Sequence, residues 1–465
     1  MTRRNDPFVP GPTLTPAPGS SAPTPGSVSH ATRSPAKTST FAKRKPAPTV
    51  RSVLARLYRT HAITRSEDSS YVAGYNSALS TEKHLSGTRK TELQAVTETM
   101  HRIAASGQLT ASRLPALFAT LNANRQWWTH GSLLASGARV EFAGSQLVWE
   151  YYPGQGIQLQ VLGTFGKADG LYTGGLSDYP AMQQLLAQII PLAAQRAGGV
   201  TWEYYFSFDG GSPPWTSAMS QATGLEALTR AYQATGNKYY LQVASKALAV
   251  FGRPPPSGVN VKTRLGTRFL QYTFAPRVSI INAFLQSLIG LYDYAKVSGN
   301  ATAARLFASG NAEAVSEVPH FDTGAWSLYQ PGIEDTLDYH ELVTGFLQQL
   351  CSRTKTPVYC RTAQHFQTDL KTPPALTQLT FRARVRAHRR TSFALRFNLS
   401  KYSHVGVVVS QGDSTLFSTS ASFPYGRDHF TIPALRHKGT YSIVLDATDL
   451  AGNFSKITGN LQVTS

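Results

Sequence analysis

The spacing of apolar residues changes several times along the chain, and each change marks a different kind of element. From Thr91 to about Trp128 the positions Leu93, Val96, Met100, Ile103 and Ala104 recur at three- and four-residue intervals, and a second such run follows Gly107. That is the period of a helix with one buried face. Between Arg139 and Gly163 the period shortens. Val140 to Phe142, Gln146 to Tyr151 and Ile157 to Leu162 read as three strands separated by glycine and proline turns. Beyond Asp178, which reads as an N-cap, helical spacing dominates for nearly two hundred residues.

Met182, Leu185, Leu186, Ile189 and Ile190 mark the first helix of that region. Met219 to Tyr232, closing at Gly236-Asn237, joins tightly to a helix carrying Leu241, Ala244, Leu248 and Phe251. A second pair runs from Ser279 to Val297 and from Ala301 to Val318, the latter capped by Asn300, and a third from Tyr339 to Arg353 and Val358 to Leu370. Successive helix hairpins with no strand inserted between them predict a mainly α fold, an α/α toroid or a solenoid, with a small β-rich portion at about 139–175. At Thr372-Pro373-Pro374 the character changes. Phe381 to His388 alternates strictly, Val405 to Val409 is β-branched, and Tyr441 to Leu445 leads into a turn at Asp449 to Asn453. Short strands at this spacing predict a β-sandwich of the immunoglobulin or fibronectin type over 376–465.

Charge modifies this picture at the two ends. The chain carries 45 Lys and Arg against 26 Asp and Glu. Much of the excess lies in residues 1–50, which also hold many of the prolines, and in 376–465. Residues 1–50 cannot bury enough apolar surface to fold and read as a disordered basic tail. No apolar stretch follows Arg3-Arg4, so no secretory signal is visible. No uninterrupted apolar run reaches 18 residues, which argues against a membrane-spanning helix. A basic surface attracts polyanions in general, but no nucleic-acid-binding motif and no G-x-G-x-x-G unit appears, so nucleic acid is not an expected partner. Arg382, Arg384 and Arg386 alternate along one strand and either hold an acidic polymer or form a solvated face. Cys351 and Cys360 match neither a zinc site nor a redox motif; a disulfide and two buried thiols both fit.

Three segments carry a resemblance. The first is Pro214-Trp215-Thr216-Ser217-Ala218-Met219-Ser220-Gln221, followed by Leu228-Thr229-Arg230-Ala231-Tyr232. The second is Gln271-Tyr272-Thr273-Phe274-Ala275-Pro276, running into Asn282-Ala283-Phe284. The third is Phe321-Asp322-Thr323-Gly324 with Tyr329 beyond it and then Asp338-Tyr339-His340. Their order and spacing over roughly 200–370 resemble the C-terminal domain of the D-glucuronyl C5-epimerases, and Trp149 to Tyr172 looks like the segment that precedes it in bacterial members. The resemblance implies a toroid over 51–375, a uronate-containing acidic polysaccharide as partner, an extracellular or cell-surface location, no cofactor, and catalytic tyrosines at Tyr272, Tyr329 and Tyr339. It also implies an acidic residue before the first tyrosine, where this chain has Gln271.

C5 epimerisation removes the proton alpha to a uronate carboxylate and returns one to the other face, so two acid/base groups must flank the ring. A tyrosine acting as base needs cations or donors nearby, since its pKa is ordinarily about 10. Arg264, Arg268, Arg277 and His340 are the candidates, with Arg277 the expected partner of the uronate carboxylate. Trp215 is read as a stacking platform or a packing staple, and Gln221 and Asn282 as substrate contacts or structural hydrogen bonders. Three rival readings remain. A polysaccharide lyase abstracts the same proton; a hydrolase would use the carboxylates among Glu334, Asp335, Asp338 and Glu341; and a binding protein without a base is the reading that Gln271 favours. No metal-ligand spacing stands out.

Overall fold

The computed structural model describes residues 46–380, 384–386 and 392–464. The tail up to residue 45 and Arg382 lie outside the described residues, and Arg384 and Arg386 are described by backbone alone. Among the described residues the helices are α1 (Val50–Arg59), α2 (Arg65–His84), α3 (Gly87–Ala105), α4 (Leu114–His130), α5 (Val161–Thr173), α6 (Tyr179–Ile189), α7 (Ala218–Thr235), α8 (Tyr239–Ala247), α9 (Ile281–Ser298), α10 (Ala301–Glu317), α11 (Leu337–Thr354) and α12 (Pro357–Asp369). From α5 onward they form two rows. The helices α5, α7, α9 and α11 lie side by side, and each is backed by its successor, α6, α8, α10 or α12. The hairpin pattern of the sequence produces this arrangement, because each pair must bury its apolar stripe against the next.

Helices α7 and α9 are buried almost all round in their first turns, from Ala218 to Leu225 and from Ile281 to Leu288. They approach closely because α9 presents Gly290 to α7, where a Cβ would stand only 2.2 Å from the Ala222 carbonyl oxygen. The tight joint after α7 comes from Gly236 in the left-handed region (φ 70°). Asn300 caps α10 as its residue type requires, its Oδ1 accepting from the amides of Thr302 and Ala303 at 2.9 and 3.0 Å. Cys351 and Cys360 are joined by a disulfide that ties α11 to α12.

Three expectations need correction. Ile157 to Leu162 is not one strand. The antiparallel sheet β1 (Arg139–Val140), β2 (Trp149–Tyr152), β3 (Gly156–Leu159) ends at Leu159, and α5 begins two residues later with the Gln160 carbonyl accepting from Thr164 N at 2.8 Å. The alternation Ile157, Leu159, Val161 with Gln158 and Gln160 between them continues across that boundary without a breaker, which hides it from periodicity. Asp178 makes no cap hydrogen bond; a single 3-10 turn, Leu176–Asp178, feeds directly into α6. Strands are inserted between the hairpins: the ribbons β4–β5 (Ala194–Arg196, Gly199–Thr201), β6–β7 (Asn260–Lys262, Thr267–Phe269) and β8–β9 (Leu328–Gln330, Ile333–Glu334) each precede one helix of the inner row. They are two or three residues long, too short to show a period. In addition, α1 and α2 are well-formed helices in a stretch whose apolar spacing marks no element, each opened by a capping box, Thr49 with Ser52 and Thr64 with Glu67.

Beyond the helices, strands β10 (Leu376–Thr380), β12 (Phe393–Leu399) and β15 (Gly426–Ile432) form one sheet. A second has the order β11 (Arg384–Arg386), β17 (Phe454–Thr464), β16 (Gly439–Asp449), β13 (Ser403–Gln411), β14 (Ser414–Phe423). Alternate residues of both sheets, among them Leu395, Phe397, Val405, Val407, Ile443 and Leu445, share a core separate from that of the helices.

Candidate functional site

The segments that precede α5, α7, α9 and α11 meet at one end of the inner row. The hairpin β2–β3 delivers Glu150 and Tyr152, the stretch after β5 delivers Tyr204 to Trp215, the turn after β7 delivers Gln271 and Tyr272, and β8 with the first turn of α11 delivers Tyr329 and Tyr339. These segments lead into the N-terminal ends of the inner helices, where the summed peptide dipoles favour an anion.

The three expected tyrosines are brought together. Tyr329 donates its hydroxyl hydrogen bond to Tyr272, and the Gln271 side-chain amide donates to the same Tyr272 oxygen. The Tyr329 and Tyr339 rings stand edge to face with centroids 5.1 Å apart. Burial pushes all three hydroxyls above the ordinary range of a phenol, and for Tyr272 the two donors partly offset it. As whole residues all three are half-buried.

The tyrosines stand on an aromatic floor. Tyr204 stacks on Trp215 with centroids 4.3 Å apart, and Trp215 meets the rings of Tyr272 and Phe274 edge-on at 5.7 and 5.5 Å. Tyr152 stacks on Phe206 at 4.5 Å. Polar atoms are threaded through this floor: Gln160 Nε2 donates to the Tyr152 hydroxyl at 2.9 Å, while the Tyr204 hydroxyl donates to Gln160 Oε1 at 3.1 Å and accepts from Leu162 N at 3.1 Å. Period-2 geometry explains the placement. On the strand-like stretch carrying Tyr204, the neighbouring Glu203 points the other way, where Arg113 grips it with two hydrogen bonds of 2.7 and 2.9 Å and Arg196 with one of 2.6 Å.

Other expected site residues are placed elsewhere. Trp215 is only 4% exposed and its faces are taken by neighbouring rings, so it is a packing residue and not an open platform. Gln221 is fully buried and spent on backbone, accepting from Trp202 N and donating to Trp202 O at 2.7 Å. Asn282 is buried, its amide directed at Met219 Sδ, 3.9 Å away, with Oδ1 unpartnered among the described residues. Arg268 is turned away into ion pairs with Glu313 and Glu317 at 3.7 and 2.9 Å. Arg264 and Arg277 are exposed on the loops that flank Tyr272 and have no ion-pair partner among the described residues.

His340 does not tune Tyr339. It is fully buried, stacked on Trp326 with centroids 3.8 Å apart and hydrogen-bonded to Ser327 and the Phe366 carbonyl, and burial lowers its pKa to about 4. Adjacent helical positions point about 100° apart, so Tyr339 can face the cluster while His340 faces the core.

The acidic run separates in the same way. Glu334 accepts from the backbone amides of Tyr402 and Tyr425, both at 2.8 Å, and so anchors the C-terminal sheets. Asp335 is buried against Ser327, with its pKa raised to about 7 by desolvation. Asp338 and Glu341 are exposed. No pair among the four faces across a cleft as hydrolysis would need.

One residue that sequence reasoning passed over does reach the cluster. Glu150 shares a face of β2 with Tyr152 and is hydrogen-bonded to it, with Arg139 3.6 Å away. Its charge is felt by both Tyr204 and Tyr339. The signal was the alternation Trp149-Glu150-Tyr151-Tyr152, in which the buried Trp149 and Tyr151 leave Glu150 and Tyr152 on the opposite face.

Residues 197–368 match the family model described as D-glucuronyl C5-epimerase C-terminus. An uncharacterized protein of Methanocaldococcus jannaschii is 31% identical over 137 residues, which is 28% of this chain and 44% of that protein. A D-glucuronyl C5-epimerase of Caenorhabditis elegans is 29% identical over 175 residues, 33% of this chain and 28% of that protein. The matched segments thus span less than half the length of either relative. A sugar epimerase from a ruminal bacterium overlays on 45% of this chain and 56% of its own at 16% identity and a TM-score of 0.32, a likeness too loose to bear on the fold.

Proposed function

We propose that this protein, whose residues 197–368 match the model of the D-glucuronyl C5-epimerase C-terminus, is a carbohydrate epimerase that inverts C5 of glucuronate residues in an acidic polysaccharide. The observation that carries the reading is the convergence of Tyr272, Tyr329 and Tyr339: one donates to another, and all stand on segments that lead into the N-terminal ends of the inner helices.

A uronate placed there has its carboxylate among positive helix ends, which favour the negative charge that spreads onto that carboxylate once the C5 proton leaves. Phenols raised by burial are protonated at neutral pH and can return a proton to C5. Arg264 and Arg277, exposed on the flanking loops, suit the anionic polymer beyond the reacting residue. In this reading 51–375 is an α/α toroid and 376–465 an accessory β domain of the immunoglobulin kind. The disulfide between Cys351 and Cys360 supports an extracellular or cell-surface location, since such bonds persist in oxidising compartments.

A second reading, polymer binding without catalysis, is favoured by Gln271, because an amide cannot take up the C5 proton. Incubation with heparosan, chondroitin and hyaluronan in deuterated water separates the readings. Deuterium at C5 without unsaturated chain ends identifies an epimerase, unsaturated ends identify a lyase, and binding without exchange identifies a carbohydrate-binding protein.

A further inference from the structure

We infer that Glu150, on the β2–β3 hairpin, is the base that takes the C5 proton, with the tyrosine cluster supplying the proton returned to the other face. This inference rests on the epimerase reading and names a residue outside the segment matched to the family.

Geometry supplies the first argument. Glu150 and Tyr152 project from the same face of β2, the face turned toward the inner-row ends, while Trp149 and Tyr151 are buried on the other. From Tyr152 a continuous path leads to the tyrosines. Gln160 links Tyr152 to Tyr204, Tyr204 stacks on Trp215, and Trp215 abuts Tyr272. The Glu150 side chain is 13% exposed, open enough to meet a sugar.

The other nearby carboxylates are less suited. Asp335 is 2% exposed and engaged with Ser327. Asp209 and Asp338 are exposed, so water surrounds them on the side away from the cluster. Glu150 is hydrogen-bonded to Tyr152, and its charge reaches Tyr339 and helps to raise that hydroxyl.

Chemistry supplies the second argument. A base must be ionised before the reaction, and with Tyr272, Tyr329 and Tyr339 all pushed above the ordinary range, none rests as a phenolate near neutral pH. Burial raises the Glu150 carboxyl, which makes it a stronger base than an exposed glutamate, while the Tyr152 hydroxyl and Arg139 favour its charged form.

The step balances without a co-reactant. The Glu150 carboxylate takes the C5 proton and becomes a carboxylic acid, while the C–H electron pair moves into the enolate of the uronate carboxylate. A tyrosine hydroxyl then protonates C5 from the opposite face and is left as a phenolate. Transfer of the Glu150 proton to that phenolate through solvent restores both groups.

The test is deuterium exchange into heparosan, chondroitin and hyaluronan by the full chain. Glu150→Gln keeps the side chain's size and a hydrogen-bonding partner for Tyr152, and should slow C5 exchange about 10²- to 10⁴-fold while polymer affinity and melting temperature hold. Glu150→Asp should retain part of the rate. The acidic limb of the wild-type pH profile should disappear in Glu150→Gln; the groups facing Glu150 are Arg139, Tyr152, Tyr204 and Tyr339, none of which supplies such a limb. Exchange by Glu150→Gln at the wild-type rate overturns the inference and leaves the epimerase reading intact. Absence of exchange by the wild type on all three polymers overturns both.

Discussion

The Ser217 hydroxyl donates to Gln271 Oε1 at 3.1 Å, so the residue that caps α7 also holds the side chain preceding Tyr272. The Gln271 amide can then donate to the Tyr272 oxygen, completing a relay from a helix cap to the tyrosine cluster. An acid at 271 would accept from Ser217 equally well but would offer Tyr272 a negative charge in place of a donor.

Gln271→Glu should therefore fold normally and fail to accelerate C5 exchange. Its charge repels the uronate and pushes the Tyr272 hydroxyl further up. A gain of about 10²-fold or more would instead show that the chemistry needs an acid there.

Tyr339→Phe removes one hydroxyl and keeps the ring that packs against Tyr329. Exchange should fall by about 10²- to 10⁴-fold with little change in melting temperature, as for any positioned acid/base group. Equal loss of stability and activity would mark Tyr339 as a packing residue.

Lys401 ties the two hydrophobic cores together. It is 1% exposed, 2.6 Å from Asp449 Oδ2, donates to the carbonyls of Asp369 and Thr372 at 2.7 and 2.5 Å, and lies 5.1 Å from the Trp326 ring centroid. Lys401→Ala leaves Asp449 buried without its cation and should cost about 3–5 kcal/mol in denaturant unfolding. Lys401→Met with Asp449→Asn should recover most of that loss.

Asp335 and His340 give stability opposing dependences on pH. The folded Asp335 pKa is raised from 3.8 to about 7, so the folded state holds the extra proton between those values and stability falls as pH rises through them. His340 is lowered from 6.5 to about 4, so its contribution is lost as pH falls through that window. Asp335→Asn removes only the first effect. The variant should gain on the wild type in melting temperature from pH 5 to pH 8; a constant difference across that range would contradict the assignment.

How much of this was legible in the sequence follows from what each pattern can encode. The hairpins α7–α8, α9–α10 and α11–α12 were readable because each carries an apolar stripe at helical spacing, and in the first two Gly236 and Asn300 also mark a helix end. The three tyrosines were readable only through motif resemblance, since nothing in local spacing separates Tyr272 from the many other tyrosines of the chain. Gln221 and His340 misled because each sits at a helix start near the site, while the side chain turns inward, a choice made by tertiary packing. Glu150 was missed for the opposite reason. Its strand was recognised, but the face it shares with Tyr152 gains meaning only when the inner helices bring that hairpin beside Tyr339. The ribbons β4–β5, β6–β7 and β8–β9 are too short for any period to register.

In the epimerase reading one centre removes a proton from C5 and returns one to the opposite face. The most direct measurement is the position and configuration of deuterium in a glucuronate polymer recovered early from deuterated water, read by nuclear magnetic resonance. C5-inverted residues should carry deuterium at C5 from the first time points, with chain length unchanged and no unsaturated ends. Inverted residues that retain protium at C5, or a polymer that is bound but recovered without deuterium, would contradict it.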